Sequence, residues 1–338
     1  MPPATAAAAA PAGLDELLST RLVVITGKGG VGKTTVAAAL GVAGARSGRR
    51  TLLIEVEARQ GLSRVLTTAP WTFADAEVRP DLWGLSVDPE ESLIEYLDQS
   101  FGLKCVARVM NRVNAIDFVT AAAPGLRDVL LLGKVYEAER RRRPDGRWAY
   151  DLVVLDAPPI GRIVPFLSSP VGVSDIVRVG PVRRQAENII EMLHDPRRTA
   201  AVVVTLLEEM PVTETLEGID GLRQIGVDVG PIVVNQALPQ RFDDEARRVL
   251  RGLKPATLVD RAAGARVALE PTAAELGLAL ARAHLERIAL QDRMRSELDV
   301  AASQLGLVEL PMLTRATFGV PEIERLADLL TATVGASG

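Results

Sequence analysis

Short runs of valine, isoleucine and leucine alternate along the chain with stretches of helical period. Arg21–Thr26 (RLVVIT), Thr51–Val56 (TLLIEV), Asp151–Asp156 (DLVVLD), Ala201–Thr205 (AVVVT) and Pro231–Asn235 (PIVVN) are apolar at most positions. A strand without polar alternation is covered on both faces, as in parallel sheets. Leu82–Val87 and Gly306–Leu310 read as further strands. Helical patterns between them imply right-handed crossovers and an α/β fold, a mostly parallel sheet flanked by helices.

The stretch from Asp88 to about Arg143 breaks this rhythm. Asp88-Pro89-Glu90-Glu91 is a helix start, with an N-cap aspartate, proline in the first turn and acids near the positive end. Helical spacing continues through Leu93, Leu97, Val106, Val109, Met110, Val113 and Ile116. An inserted helical subdomain is expected over 88–147, joined by the polar helical stretch 181–198. Residues 19–87 and 148–338 then form the core, and the alanine- and proline-rich 1–18 reads as a disordered tail. Glu139–Arg147 (ERRRRPDGR) is a basic turn, read as a solvated loop because no aromatic residues interleave its charges.

Composition narrows the field. The net charge of −4 offers no general pull toward nucleic acid or an anionic membrane, and no nucleic-acid partner is expected. No run of about 18 strongly apolar residues is present, so no integral membrane segment is expected. The single cysteine, Cys105, excludes an intrachain disulfide and a Cys-x-x-Cys metal site. A cytoplasmic location, with room for peripheral membrane contact, is the default. His194 and His284 stand far apart and read as surface or capping residues.

Lysine is scarce, at 28, 33, 104, 134 and 254 only, so two lysines within six residues need a reason. They fall in Gly27-Lys28-Gly29-Gly30-Val31-Gly32-Lys33-Thr34-Thr35, between an apolar strand and a helix. That context makes the segment a P-loop. Glycines let successive N–H groups converge on phosphate oxygens, and the helix start adds about half a positive charge. Lys33 is expected to bridge the β- and γ-phosphates of ATP, and the Thr34 hydroxyl to ligate Mg²⁺.

Lys28, directly after the first glycine, marks the deviant Walker A group. Further segments resemble the arsenical-pump and tail-anchored-protein targeting ATPase family, the anion-transporting ATPases, with actinobacterial members nearest in appearance. Asp156-Ala157-Pro158-Pro159-Ile160-Gly161-Arg162 with Phe166-Leu167 resembles the family's switch II. Ala123–Asp128 is similar to the segment leading into it, Val234-Asn235-Gln236 to the adenine-reading strand end, and Leu310–Leu313 to the adenine loop. The matches run in family order from about Arg21 to Leu330.

The resemblance implies a P-loop ATPase that hydrolyses ATP with Mg²⁺ and works as a homodimer, or as a heterodimer with a related chain. ATP turnover would be coupled to a protein client or membrane partner through the switch loops. It implies that Lys28 acts across the dimer, that Asp156 holds Mg²⁺ through water, and that Gly161 offers its N–H to the γ-phosphate. Asn235 would bond the adenine edge and Pro311 would line its pocket. On residues alone, Asn235 is equally a turn residue after a strand.

Two departures matter. Where the family places the aspartate that positions the attacking water, this chain has Glu57, one methylene longer, about 1.5 Å of reach. Catalytic geometry is intolerant of such a displacement, so either the loop backbone is set back or hydrolysis is slow. Glu55 is a weaker candidate for the same task. One cysteine, moreover, cannot form the thiolate site of an arsenite pump or the shared zinc site of the targeting factor. Two other readings stay open: a nucleotide-dependent assembly scaffold with little turnover, and a partitioning or positioning ATPase. The latter is disfavoured by a C-terminus without a basic amphipathic helix.

Overall fold

A computed structural model of the chain describes residues 14–56, 59–101, 125–177, 179–314 and 318–332. The strands are β1 (Leu22–Gly27), β2 (Thr51–Val56), β3 (Ala76–Arg79), β4 (Leu82–Val87), β5 (Leu152–Asp156), β6 (Thr199–Thr205), β7 (Val229–Ala237) and β8 (Leu307–Pro311). They form one sheet in the order β3-β4-β2-β5-β1-β6-β7-β8. All pair in parallel except β3, which runs antiparallel to β4 at the edge. Each expected strand is present to within a residue or two. The pattern missed β3 because Ala76-Glu77-Val78-Arg79 is short, charged and partly exposed, as edge strands often are.

Side-chain alternation divides the apolar strands between two cores. Leu22, Val24, Leu52, Ile54, Val153 and Leu155 face one layer, and Val23, Ile25, Leu53, Leu152 and Val154 face the other. The first layer is built on α5 (Leu126–Arg140), α6 (Ile160–Ile176), α7 (Pro181–His194), α8 (Glu209–Gln224) and part of α11 (Pro271–Leu305). The second is built on α1 (Leu14–Ser19), α2 (Lys33–Arg46), α3 (Gly61–Val65) and α12 (Val320–Ala332). Residues 1–13 of the expected tail lie outside the described residues, while Leu17 and Leu18 of α1 are buried.

The alanine-rich α2 is explained by close approach to the sheet. A Cβ on Gly41 would stand 2.7 Å from the Leu53 side chain, and one on Gly44 2.7 Å from Thr51 Oγ1. Small residues let the P-loop helix press onto β2 and β5. No helix among the described residues is long and apolar enough to cross a membrane.

Of the stretch expected as an insertion, α4 (Pro89–Phe101) and α5 are described, while 102–124, including Lys104, Cys105, Met110, Ala123 and Pro124, lie outside the described residues. Asp88 caps α4 as expected, its Oδ1 accepting the N–H of Glu90 at 2.8 Å and of Glu91 at 3.2 Å. Lys134 ties α5 to α4 by donating to both oxygens of Glu95 at 2.8 and 2.9 Å. Val129, Leu131, Leu132, Val135 and Ala138 of α5 belong to the sheet core. Between β7 and β8 the chain makes a second helical excursion through α9 (Asp244–Gly252), α10 (Pro255–Gly264) and the 35-residue α11. Neither α9 nor α10 buries a residue.

The end of α5 is fixed by a buried carboxylate. Glu139 is 1% exposed. Arg21 Nε donates to its Oε1 at 2.9 Å and Arg198 Nη2 to its Oε2 at 2.7 Å, joining α5 to the starts of β1 and β6. Removing one partner of a buried ionic cluster strands the remaining charge. Glu139→Ala is expected to lower unfolding free energy by about 3 kcal/mol in urea titrations. A loss under about 0.5 kcal/mol would mean the two arginines are solvated rather than held.

Candidate active site

The P-loop follows β1 and opens α2. Two glycines are sterically required. Gly27 has φ 148°, and a Cβ there would run into the Val204 carbonyl oxygen of β6. Gly32 has φ 92°, and its Cβ would overlap the Asn235 side-chain amide. Asn235, buried near the end of β7, donates from Nδ2 to the Val31 carbonyl at 2.9 Å. The loop is therefore fixed by two neighbouring strands as well as its own.

Within the loop, Lys33 Nζ donates to the Lys28 carbonyl at 3.0 Å and lies across the curl. Burial lowers the Lys33 pKa, opposed by Asp156 and assisted by Arg59. The Thr34 hydroxyl donates to Asp156 Oδ2 at 2.7 Å. Burial raises the Asp156 pKa, against the Thr34 hydrogen bond and the charges of Lys33 and Arg59. Lys33, Thr34 and Asp156 thus come together at the carboxyl ends of β1 and β5, where α/β sheets bind ligands.

The segments expected to act as switches border this point. Glu57 and Ala58 lie outside the described residues. Their neighbours form a tied turn: Glu55, 2% exposed, accepts the N–H of Gln60 at 2.8 Å and of Leu62 at 3.2 Å, and the Ser86 hydroxyl at 3.3 Å. Glu55 is thereby committed to holding the loop and is not free for the water-positioning task weighed for it. Gln60, at φ 53°, accepts from Trp71 N at 2.9 Å and donates to Trp71 O at 2.9 Å. A Cβ on Gly61 would stand 3.2 Å from Thr34 Cγ2, so this turn passes directly against the P-loop threonine.

On the other side, Ala157 N donates to Ile25 O at 3.0 Å and Thr26 Oγ1 to Pro158 O at 2.9 Å. These bonds lock the segment after β5 to β1. Gly161 sits in the first turn of α6, where N–H groups lack an intrahelical acceptor. Phe166 and Leu167 are buried and anchor the helix behind it.

Lys28 points elsewhere. Its ammonium forms an ion pair with Glu214 of α8, both side chains 29% exposed. Sequence reasoning missed Glu214, since one acid in a helix carries no motif. It also missed the structural roles of Glu55 and Gln60, which only the folded turn discloses.

Beside the loop, Thr35, Asn235, Gln236, Pro311, Met312 and Phe318 are among the residues lining a cavity of about 270 Å³. Asn235 and Pro311, expected to hold adenine, meet there. The residues fit Mg²⁺ as well: Thr34 Oγ1 and the Asp156 carboxylate form an all-oxygen pair already in contact, the donor chemistry this ion takes alongside phosphate oxygens and water.

The fold and the phosphate cradle are those of a P-loop NTPase. Residues 20–179 and 181–254 match the family model described as anion-transporting ATPase. The chain is 42% identical over 234 residues to "ATPase BagA" of Mycobacterium tuberculosis, covering 68% of each chain. It is 25% identical over 242 residues to an arsenical pump-driving ATPase of Acidiphilium multivorum, covering 64% of this chain and 39% of that one. An ATPase ASNA1 homolog of Entamoeba dispar is 24% identical over 257 residues, covering 64% of this chain and 76% of that one. The chain belongs to the anion-transporting ATPase family.

The Asn235 bond makes a prediction that needs no ligand. Asn235→Ala leaves the Val31 carbonyl without its partner, so backbone amides of Gly30–Thr34 are expected to exchange hydrogen at least tenfold faster. Unchanged exchange would reduce Asn235 to a pocket-lining residue.

Proposed function

We propose that this chain is a Mg²⁺-dependent ATPase that works as a dimer, homomeric or with a related chain, and couples turnover to a protein client or membrane partner. The convergence of Lys33, Thr34 and Asp156 beside the two switch turns carries the reading. The backbone of Gly27, Gly29–Gly32, Thr34 and Thr35 cradles the phosphates, with Lys33 supplying the fixed positive charge. Thr34 and Asp156 hold Mg²⁺, which neutralises phosphate charge when bound. Gly161 senses the γ-phosphate from the first turn of α6, and Asn235 and Pro311 bound the adenine pocket.

Glu57 orients the attacking water. Its extra methylene supports slow turnover and is the one feature favouring a nucleotide-dependent scaffold. Lys28 supplies charge to the partner's nucleotide, which requires release from Glu214. The region Asp88–Arg143, with Pro181–Leu193, forms the partner-binding face, placed between the switches so that loss of the γ-phosphate can move it.

Lys33→Ala is expected to weaken ATP binding and abolish hydrolysis in calorimetric and steady-state assays; normal values for both would end the assignment. Glu57→Gln should retain ATP and stop turnover, and a native rate would remove Glu57 from the mechanism. Lys28→Ala should keep ATP binding while hydrolysis falls on the order of 10³-fold. Mixing it with Lys33→Ala chains should restore one working site per mixed dimer, because the Lys28→Ala site keeps its Lys33 and receives its neighbour's Lys28. No recovery in verified mixed dimers would confine Lys28 to its own subunit.

A further inference from the structure

At the opposite end of β5 from Asp156 lies a cleft of about 730 Å³. Its walls are the last turns of α5, the 141–148 turn and the first turns of α7, and its volume suits a small ligand. Arg140, Arg142, Arg184, Gln185 and Asn188 line it.

The charges around it do not balance locally. Arg141 is held by Glu137 at 2.8 Å and Asp75 at 2.7 Å, and Glu139 takes Arg21 and Arg198. Among the described residues, no carboxylate pairs with Arg140, Arg142 or Arg184. Arg142 lies over the Trp148 ring at 3.6 Å and donates to the Gly146 carbonyl at 2.8 Å. Arg140 donates to the Tyr136 hydroxyl at 3.1 Å. These contacts orient the two guanidiniums without neutralising them.

The helix beside them adds to the excess. The first turn of α7 is Pro181-Val182-Arg183-Arg184, without an acid, and Gly180 at its N-cap has no side chain to accept an N–H. A helix start carries positive potential and ordinarily recruits Asp or Glu. Here it recruits two arginines, of which Arg183 is paired with Glu187 at 2.7 Å. Arg140 is favourable in any case at the negative end of α5. Arg142 and Arg184 have no such reason.

We propose that this cleft binds a small, multiply charged anion bearing phosphate groups, held by Arg140, Arg142 and Arg184 with the amides of Gln185 and Asn188. Guanidinium matches phosphate oxygens through paired N–H groups. The recognition is ionic and does not read a nucleobase: Arg21 at 3.9 Å and Arg142 at 3.6 Å already occupy Trp148, and Arg140 lies over Tyr136 at 5.2 Å. The site is separate from the P-loop, and its occupancy does not depend on the dimer mechanism.

The test uses the full chain with its P-loop filled by saturating Mg²⁺ and ADP, titrated with inorganic pyrophosphate in a calorimeter. One further site is expected, weakening as salt is raised. Arg142→Gln with Arg184→Gln should weaken it at least tenfold, with ADP affinity and Tm unchanged. Arg251→Gln, on exposed α9, should leave it as it was. In the unaltered chain, pyrophosphate should slow hydrogen exchange within 140–148 and 181–188. Vesicles containing phosphatidylglycerol should not bind, since the arginines line the walls of a cleft rather than a flat face. The proposal is overturned by no binding to ADP-saturated protein, by equal affinity in the double variant, by protection confined to other segments, or by vesicle binding without pyrophosphate binding.

Discussion

The phosphate cradle depends on the P-loop backbone being pressed against strands it does not belong to. Gly27 lies on the Val204 carbonyl of β6, and Gly32 lies on the Asn235 amide of β7. Neither position tolerates a Cβ, so the loop's curl is set by tertiary contact as much as by glycine's freedom. The Asn235–Val31 bond then satisfies a loop carbonyl and ties the loop to β7. From this follow the position of Lys33 across the curl, the Thr34–Asp156 contact, and the packing of Gly61 on Thr34.

Much of this was legible in the sequence because it rests on local chemistry. Strands buried on both faces announce themselves by lacking alternation, as RLVVIT and DLVVLD do. The loop's glycines and lysines, the Asp88 cap and the aspartate ending β5 occupy positions that local physics requires. Long-range partners were not legible. Glu55 reads as a spare carboxylate beside Glu57 until the turn places Gln60 and Leu62 N–H groups on it. Glu139, inside ERRRRPDGR, reads as one charge in a solvated run, yet it is 1% exposed between arginines from two other strand starts. The rest of the run is solvated as its composition implies, with Arg140, Arg142 and residues 144–147 exposed.

The ends of α5 are held by forces of different strength. At its start, Asp128 faces Arg162 of α6 at 3.8 Å, with the arginine 55% exposed. A pair of that kind contributes little and is screened by salt. At its far end, Glu139 is buried between two guanidiniums, where a broken pair costs several kcal/mol.

Under the proposed dimer mechanism, Lys28 is a charge that would have to leave its own chain to act. Its ion pair with Glu214 is only partly buried, so exchanging that carboxylate for a phosphate demands little desolvation. A fully buried pair would hold Lys28 too firmly, and an unpaired lysine would sample many rotamers and lose entropy on ordering. Under that mechanism a partly exposed carboxylate would avoid both: it narrows the lysine's freedom in the single chain and would yield to the greater negative charge of a partner's nucleotide. Under the proposed dimer mechanism, Glu214 thereby sets how readily the closed state forms, although it touches neither nucleotide nor metal.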